Sequence, residues 1–121
     1  MKEPRIENAK ITNTFLGRED HGVMTFYITV EFGGGGCSYG GYSLDGYDKI
    51  TKKRVYSTKG MQAICEVLDT VGVNSWEKLK GQYIRIENEG LGGTITKIGN
   101  LIKDEWFCLK NLFTEGEQKD D

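Results

Sequence analysis

The sequence predicts an α+β fold: an antiparallel sheet bent strongly enough to make a partial barrel, with one amphipathic helix packed on it. Three observations carry that reading. Val23 to Phe32 alternates apolar and polar residues with a clean period of two, the mark of a half-exposed antiparallel strand. Met61, Ile64, Val67, Leu68 and Val71 recur at helical spacing. Glycine fills 17 of the 121 positions while proline occurs once, at Pro4. That glycine usage is about twice the average and suits tight turns and bulges in a sheet, not a Pro-rich disordered chain.

In chain order, residues 1–4 are a polar lead-in. Ile6 to Leu16 reads as the first strand, with Ala9, Ile11 and Phe15 among its apolar positions. Gly17 to Gly22 brackets four polar residues with glycines, a hairpin-loop signal. In Val23 to Phe32 the alternation sends Met24, Phe26, Ile28, Val30 and Phe32 into the core. Gly33 to Gly36 then forms a hairpin tip, and Cys37 to Leu44 is the returning strand. Tyr39 and Tyr42, three residues apart, fall on opposite faces of a regular strand: one packs and the other is free to stack on a planar ligand.

Residues 45–58 are a polar connection containing the Asp45-Gly46 turn signal and the basic run Lys52-Lys53-Arg54, read as a solvated loop. The helix spans Lys59 to Val71, with Ser57 or Thr58 as N-cap and Gly72 as its left-handed stop. A very short helix follows at Trp76 to Leu79, with both of those residues as core anchors. Tyr83 to Glu87 and Thr94 to Ile102 are strands, joined by a turn at 90–93, with a bulge or kink at Gly99-Asn100. After a polar turn at 103–105 come Trp106 to Leu109, and then Leu112 and Phe113 covering a sheet end. Residues 1–114 therefore make one domain and 115–121 a charged, flexible tail.

Composition narrows the function. The net charge of −2 argues against a duplex nucleic-acid binder, which needs a basic face. Cys37, Cys65 and Cys108 are widely spaced and odd in number, so no metal or redox pair is expected among them, and free thiols in a reducing cytoplasm are the reading preferred. No apolar leader and no membrane-length apolar run is present, so no membrane partner is expected. The Gly33–Gly36 tetrad lacks the spacing and the following helix of a phosphate-cradling loop, and no cofactor signature is found. His21 beside Glu19 and Asp20 is the one arrangement that invites acid-base chemistry. With no second histidine, no paired cysteine and no nucleophile motif, a structural role in its loop is preferred.

Four ordered blocks carry a resemblance: 16–26 (LGREDHGVMTF), 40–45 (GGYSLD), 71–81 (VGVNSWEKLKG) and 98–107 (IGNLIKDEWF). Together they resemble a family of short proteins carried by phages and prophages. No functional residue is carried over from that family. The resemblance implies an accessory factor that blunts host defence in the host cytoplasm. Some such factors sequester cyclic-nucleotide immune signals; others bind CRISPR effectors.

Two functions follow as expectations. The first is a homo-oligomeric, non-catalytic module that sequesters a small anionic nucleotide-type ligand. It requires aromatic platforms and a few cations on one cavity, for which Arg18, Tyr39, Tyr42, Arg85, Lys103 and Trp106 are the candidates. For each taken alone, a core or interface aromatic, or a solvated cation, is the simpler reading. The second is a protein–protein inhibitor of a host defence effector such as a CRISPR nuclease, using the carboxylate excess to occupy a basic groove. An enzyme built on His21 stands behind both.

Overall fold

A computed structural model describes residues 4–89 and 94–119, with side chains described as far as residue 114. The expected turn at 90–93, the first three residues and the last two of the charged tail lie outside the described residues. The strands are β1 (Arg5–Glu19), β2 (Val23–Phe32), β3 (Gly35–Gly40), β4 (Gly46–Asp48), β5 (Lys53–Val55), β6 (Tyr83–Asn88), β7 (Ile95–Gly99) and β8 (Trp106–Phe107). The helices are α1 (Thr58–Val71) and α2 (Leu109–Lys119), with short 3-10 turns at Asp20–Gly22 and Trp76–Lys78. Six strands form one antiparallel sheet in the order β3-β2-β1-β6-β7-β8, and β4 and β5 form a separate hairpin.

The α+β class stands, but the sheet does not close into a barrel. β3 and β8 are its edges, and no ladder joins them. β8 is only two residues long before the chain turns into α2, too short to complete a closing ladder. A single side chain spans the gap instead. The Tyr39 hydroxyl on β3 accepts a hydrogen bond from the Leu109 amide (2.7 Å) and donates to the Phe107 carbonyl (3.4 Å).

The core lies between the inner face of the sheet and α1. Phe26, Ile28 and Val30 enter it as the alternation of β2 requires, and Ile84, Ile86 and Ile98 meet them from β6 and β7. Each such side chain contributes about 1.5–3 kcal/mol relative to exposure. β1 differs from its expected course. Its register to β2 shifts between Ile11 and Asn13, and an inserted residue reverses which side chains face inward. Phe15 therefore lies outside, 40% exposed, tilted against Tyr27, while Leu16 packs on the core. β1 runs on to Glu19 because the ladder with β2 continues to the Glu19–Val23 pair.

β3 stops at Gly40, earlier than Leu44. Gly40 has φ 127°, and a Cβ there would sit 2.2 Å from the Phe26 carbonyl oxygen. The stretch expected as a solvated loop contains the β4–β5 hairpin. Asp48 caps its turn by accepting from the Ile50 amide (2.9 Å) and the Thr51 hydroxyl (3.0 Å). Arg54 closes its base: the guanidinium donates to both Asp45 carboxylate oxygens, Nε to Oδ2 at 3.2 Å.

α1 is capped as predicted, with the Ser57 hydroxyl accepting from the Gly60 amide (3.2 Å) and Gly72 left-handed at φ 93°. Its buried face is rotated from the expected one. Gly60, Ala63, Val67, Thr70 and Val71 face the core, while Met61 is 62% exposed. Gly60 decides this: a Cβ there would lie 1.7 Å from the Leu44 carbonyl oxygen, so the helix docks through its one side-chain-free position. α2 was not foreseen. Leu112 and Phe113 do pack against the core from it, and the Lys59 ammonium donates to the Leu112 carbonyl (2.9 Å). No described helix is long and apolar enough to cross a membrane.

Candidate functional site

The antiparallel register lays Arg85 beside Gly99 and Gly99 beside Trp106, one residue from each of β6, β7 and β8. Paired residues share a face, so the three form a row on the sheet face opposite Ile84, Ile86 and Ile98. Glycine in the middle of the row lets the indole lie flat: an added Cβ at Gly99 would be 2.6 Å from the Trp106 ring. The Arg85 guanidinium carbon lies 4.8 Å from the ring centroid and the Lys97 ammonium 5.1 Å from it. The ring is thus flanked by two cations, an arrangement stabilised by the aromatic quadrupole.

Hydrogen bonds fix each part. Arg85 Nε donates to the Asn100 carbonyl (2.7 Å) and its Nη2 to the Lys103 carbonyl (2.8 Å). The Asn100 side-chain oxygen accepts from the amides of Ile102 (2.9 Å) and Lys103 (2.8 Å), and its Nδ2 donates to the Thr70 carbonyl (3.0 Å). The loop carrying Lys103 is therefore tied to β6 on one side and to the C-terminus of α1 on the other. Trp106 Nε1 donates to Asp104 Oδ1 at 3.1 Å. Lys97 lies 3.9 Å from Glu87, a long, partly exposed contact that holds the ammonium only weakly. Beside the platform runs a groove of about 370 Å³ at the β8 edge, lined by Lys97, Trp106, Leu112 and the α1 residues Gln62 and Glu66 among others.

The structure brings Arg85 and Trp106 together, places Lys103 beside them only through its backbone carbonyl, the residue itself bordering a groove at the C-terminal end of α1, and separates the other three candidates from them. Arg18 is exposed at the far end of β1, where Nη1 donates to the Gly22 carbonyl (3.0 Å) and braces the turn. Tyr39 is 5% exposed and is the core-spanning residue described above. Burial pushes its phenol well above the ordinary range, and it has no face to offer a ligand. Tyr42 stacks on Phe113 of α2, centroids 5.7 Å apart and planes 12° apart, so one face of its ring is already covered. Of the expected pair of tyrosines, the packed one is Tyr39.

Lys97, Gly99 and Asn100 are the parts of the platform that sequence reasoning did not select. The alternation of the β7 region puts Lys97 and Gly99 on one face, but only the pairing with β6 sets that face beside Arg85. His21 sits in an exposed turn with φ 62°, and the neighbouring Glu19 carboxylate accepts from the Tyr27 hydroxyl (3.0 Å). Among the described residues no group of three or more His, Cys, Asp or Glu side chains could hold a metal ion.

A larger groove, about 750 Å³, lies along the Gly33–Gly36 tip and is bordered by Lys10, Glu31 and Tyr83. Lys10 faces Glu31 across the ladder without an ion pair between them among the described residues, and its ammonium lies 5.8 Å from the Tyr83 ring centroid, one cation on one ring. The Lys97–Trp106–Arg85 platform concentrates cations and an aromatic face better, and it is the candidate site. The chain matches no protein-family model, no curated protein and no solved structure.

Proposed function

We propose that this chain is a phage-encoded anti-defence protein of the host cytoplasm that binds a nucleotide-derived immune signal and withholds it without chemical change. The observation that carries the reading is the Trp106 ring with Lys97 at 5.1 Å and Arg85 at 4.8 Å. A nucleobase stacks on an indole, and phosphate oxygens pair with ammonium groups. Arg85 acts as a positioning residue, since it already donates to two carbonyls. Lys97 is the platform cation left to meet an anion.

The test is calorimetric titration with a panel of cyclic di- and trinucleotides, followed by heat release and chromatography of whatever was bound. Binding with intact ligand recovered is the expected result. Trp106→Ala and Lys97→Ala are each expected to weaken it by about tenfold or more, equivalent to about 1.4 kcal/mol, with an unchanged far-UV spectrum. Recovery of an altered ligand would make the protein an enzyme. Failure of every ligand to bind would overturn the sponge and leave the inhibitor of a defence effector as the reading to pursue.

A further inference from the structure

The sheet face that carries the Trp106 platform holds a second ring with a cation on it. Lys10 pairs with Tyr83 across the β1–β6 ladder, and the Lys10 ammonium lies 5.8 Å from the Tyr83 ring centroid, within cation–π reach. Both residues are exposed, Tyr83 at 57%. Tyr83 and Arg85 are two residues apart on β6, so they share a face. The Lys10–Tyr83 pair and the Trp106 platform therefore stand on one surface.

The register sets the cations in line. Lys97 of β7 faces Glu87 of β6. Arg85, two residues back on β6, faces Asn8 of β1, and Lys10 lies two residues further along β1. Each cation is thus one strand and two residues from the next. Diagonal neighbours of this kind lie about 7–8 Å apart, so Lys97, Arg85 and Lys10 mark an oblique line of about 15 Å across three strands. Trp106 belongs to the Lys97–Arg85 end of the line and Tyr83 to the Lys10 end.

The rest of the face fits that line. Asn8, in the middle row, is exposed and its side chain makes no hydrogen bond among the described residues. It lines the groove of about 750 Å³ together with Lys10 and Tyr83, so the groove begins beside Arg85. The carboxylates of these rows, Glu87 and Glu31, each sit beside a terminal lysine and not between the lysines. Asp104 holds the indole at its Nε1 edge. Two rings on one surface do not sandwich a single base; each offers a seat to a different one.

From this line of cations and rings we propose that the outer face of the sheet takes a single strand of nucleic acid, at least three nucleotides long. Its phosphates meet Lys97 and Lys10, and two of its unpaired bases stack on Trp106 and Tyr83. Aromatic seats beside a cationic track are what a single strand uses and what a duplex, with its bases stacked inside, does not. A mononucleotide reaches one lysine and one ring only. This rests on the reading of Trp106 as a base platform and extends the ligand from a compact cyclic nucleotide to an open strand.

Calorimetric titration of the full chain tests it, with thymidine monophosphate, the dinucleotide (dT)2, the single-stranded hexanucleotide (dT)6, a twelve-base-pair duplex and a panel of cyclic dinucleotides as probes. The hexanucleotide should bind at least about tenfold more tightly than the dinucleotide or the duplex. Tyr83→Ala should weaken hexanucleotide binding by about tenfold and leave the dinucleotide unaffected. Lys10→Ala should lower the slope of log Kd against log salt by about 0.7, the loss of one phosphate contact on a single strand. Both side chains are exposed, so the far-UV spectrum should be retained. A hexanucleotide bound no more tightly than the dinucleotide or the duplex, or bound equally by the wild type and the Tyr83 and Lys10 variants, would overturn the proposal. Cyclic dinucleotides bound through Trp106 without any binding of the hexanucleotide would overturn it while leaving the platform standing. Failure of every probe would remove both.

Discussion

Gly99 matters for the space it leaves, not for a special backbone angle. Trp106 occupies that space, and the cations on either side can approach the indole only because it lies flat on the sheet. Gly99→Ala puts a methyl group 2.6 Å from the ring, so the indole must lift. The expected cost is about 1–3 kcal/mol of stability, with changed tryptophan fluorescence. Affinity for any ligand held on the platform should fall by about tenfold, while the far-UV spectrum is retained. Equal fluorescence in the variant and wild type would show that the ring does not rest there. The sequence marks Gly99-Asn100 as an irregularity, which is visible locally. That the irregularity is a seat for Trp106 depends on the β7–β8 register, seven residues away, and no periodicity reports it.

The β4–β5 hairpin is held to the body by one ion pair rather than by a core. Hydrogen bonds from Arg54, and secondarily the Met24 amide and the Ser43 hydroxyl, hold the Asp45 carboxyl below the usual carboxylate range. A carboxyl whose pKa is lowered by folding stabilises the folded state above its unfolded value, about pH 4. That stability is lost as pH falls through the folded pKa. Hydrogen exchange of the hairpin amides should therefore accelerate as pH drops below about 4, beyond the intrinsic pH effect. In Asp45→Asn it should be fast throughout and insensitive to that step. A wild type whose hairpin protection is the same on both sides of about pH 4 would remove the ion pair's role. Legibility at this level was mixed. The caps, length and position of α1 are written in Ser57, Gly72 and the apolar spacing. Its inward face is not, because the apolar stripe Met61–Ile64–Val67–Leu68–Val71 is broader than the buried strip. Contact of Gly60 with Leu44 selects which edge of that stripe goes inside.

Tyr39 links the two edges of the open sheet. Its hydroxyl serves the first residue of α2, a helix start with an orphan amide and no local side-chain cap, from a position 70 residues earlier in the chain. Tyr39→Phe leaves the Leu109 amide buried without that acceptor. The expected loss is about 1–3 kcal/mol, read as a lower urea midpoint with an unchanged slope. A variant as stable as the wild type would mean that the amide finds another acceptor and that the bridge contributes nothing. The same bond explains why α2 was not legible. Leu109 to Lys119 is charged, contains Gly116 and has no capping residue in front of it. Its N-terminus is satisfied from β3, which no local window contains.

Properties carried by neighbouring residues could be read from the chain alone: the α+β class, the strand character of β2 and β6, and the span and caps of α1. Each rests on a repeat of two or 3.6 residues or on a cap a few positions away, so the interaction and its signal share one window. The tertiary structure decided what depends on residues far apart in the chain. It opened the sheet where a partial barrel was expected, and the β1 bulge turned Phe15 outward. It buried Tyr39, and it assembled Arg85, Lys97, Gly99 and Trp106 into one platform. Strand register and close backbone approach make those choices, and both are set by packing between segments that the sequence lists separately.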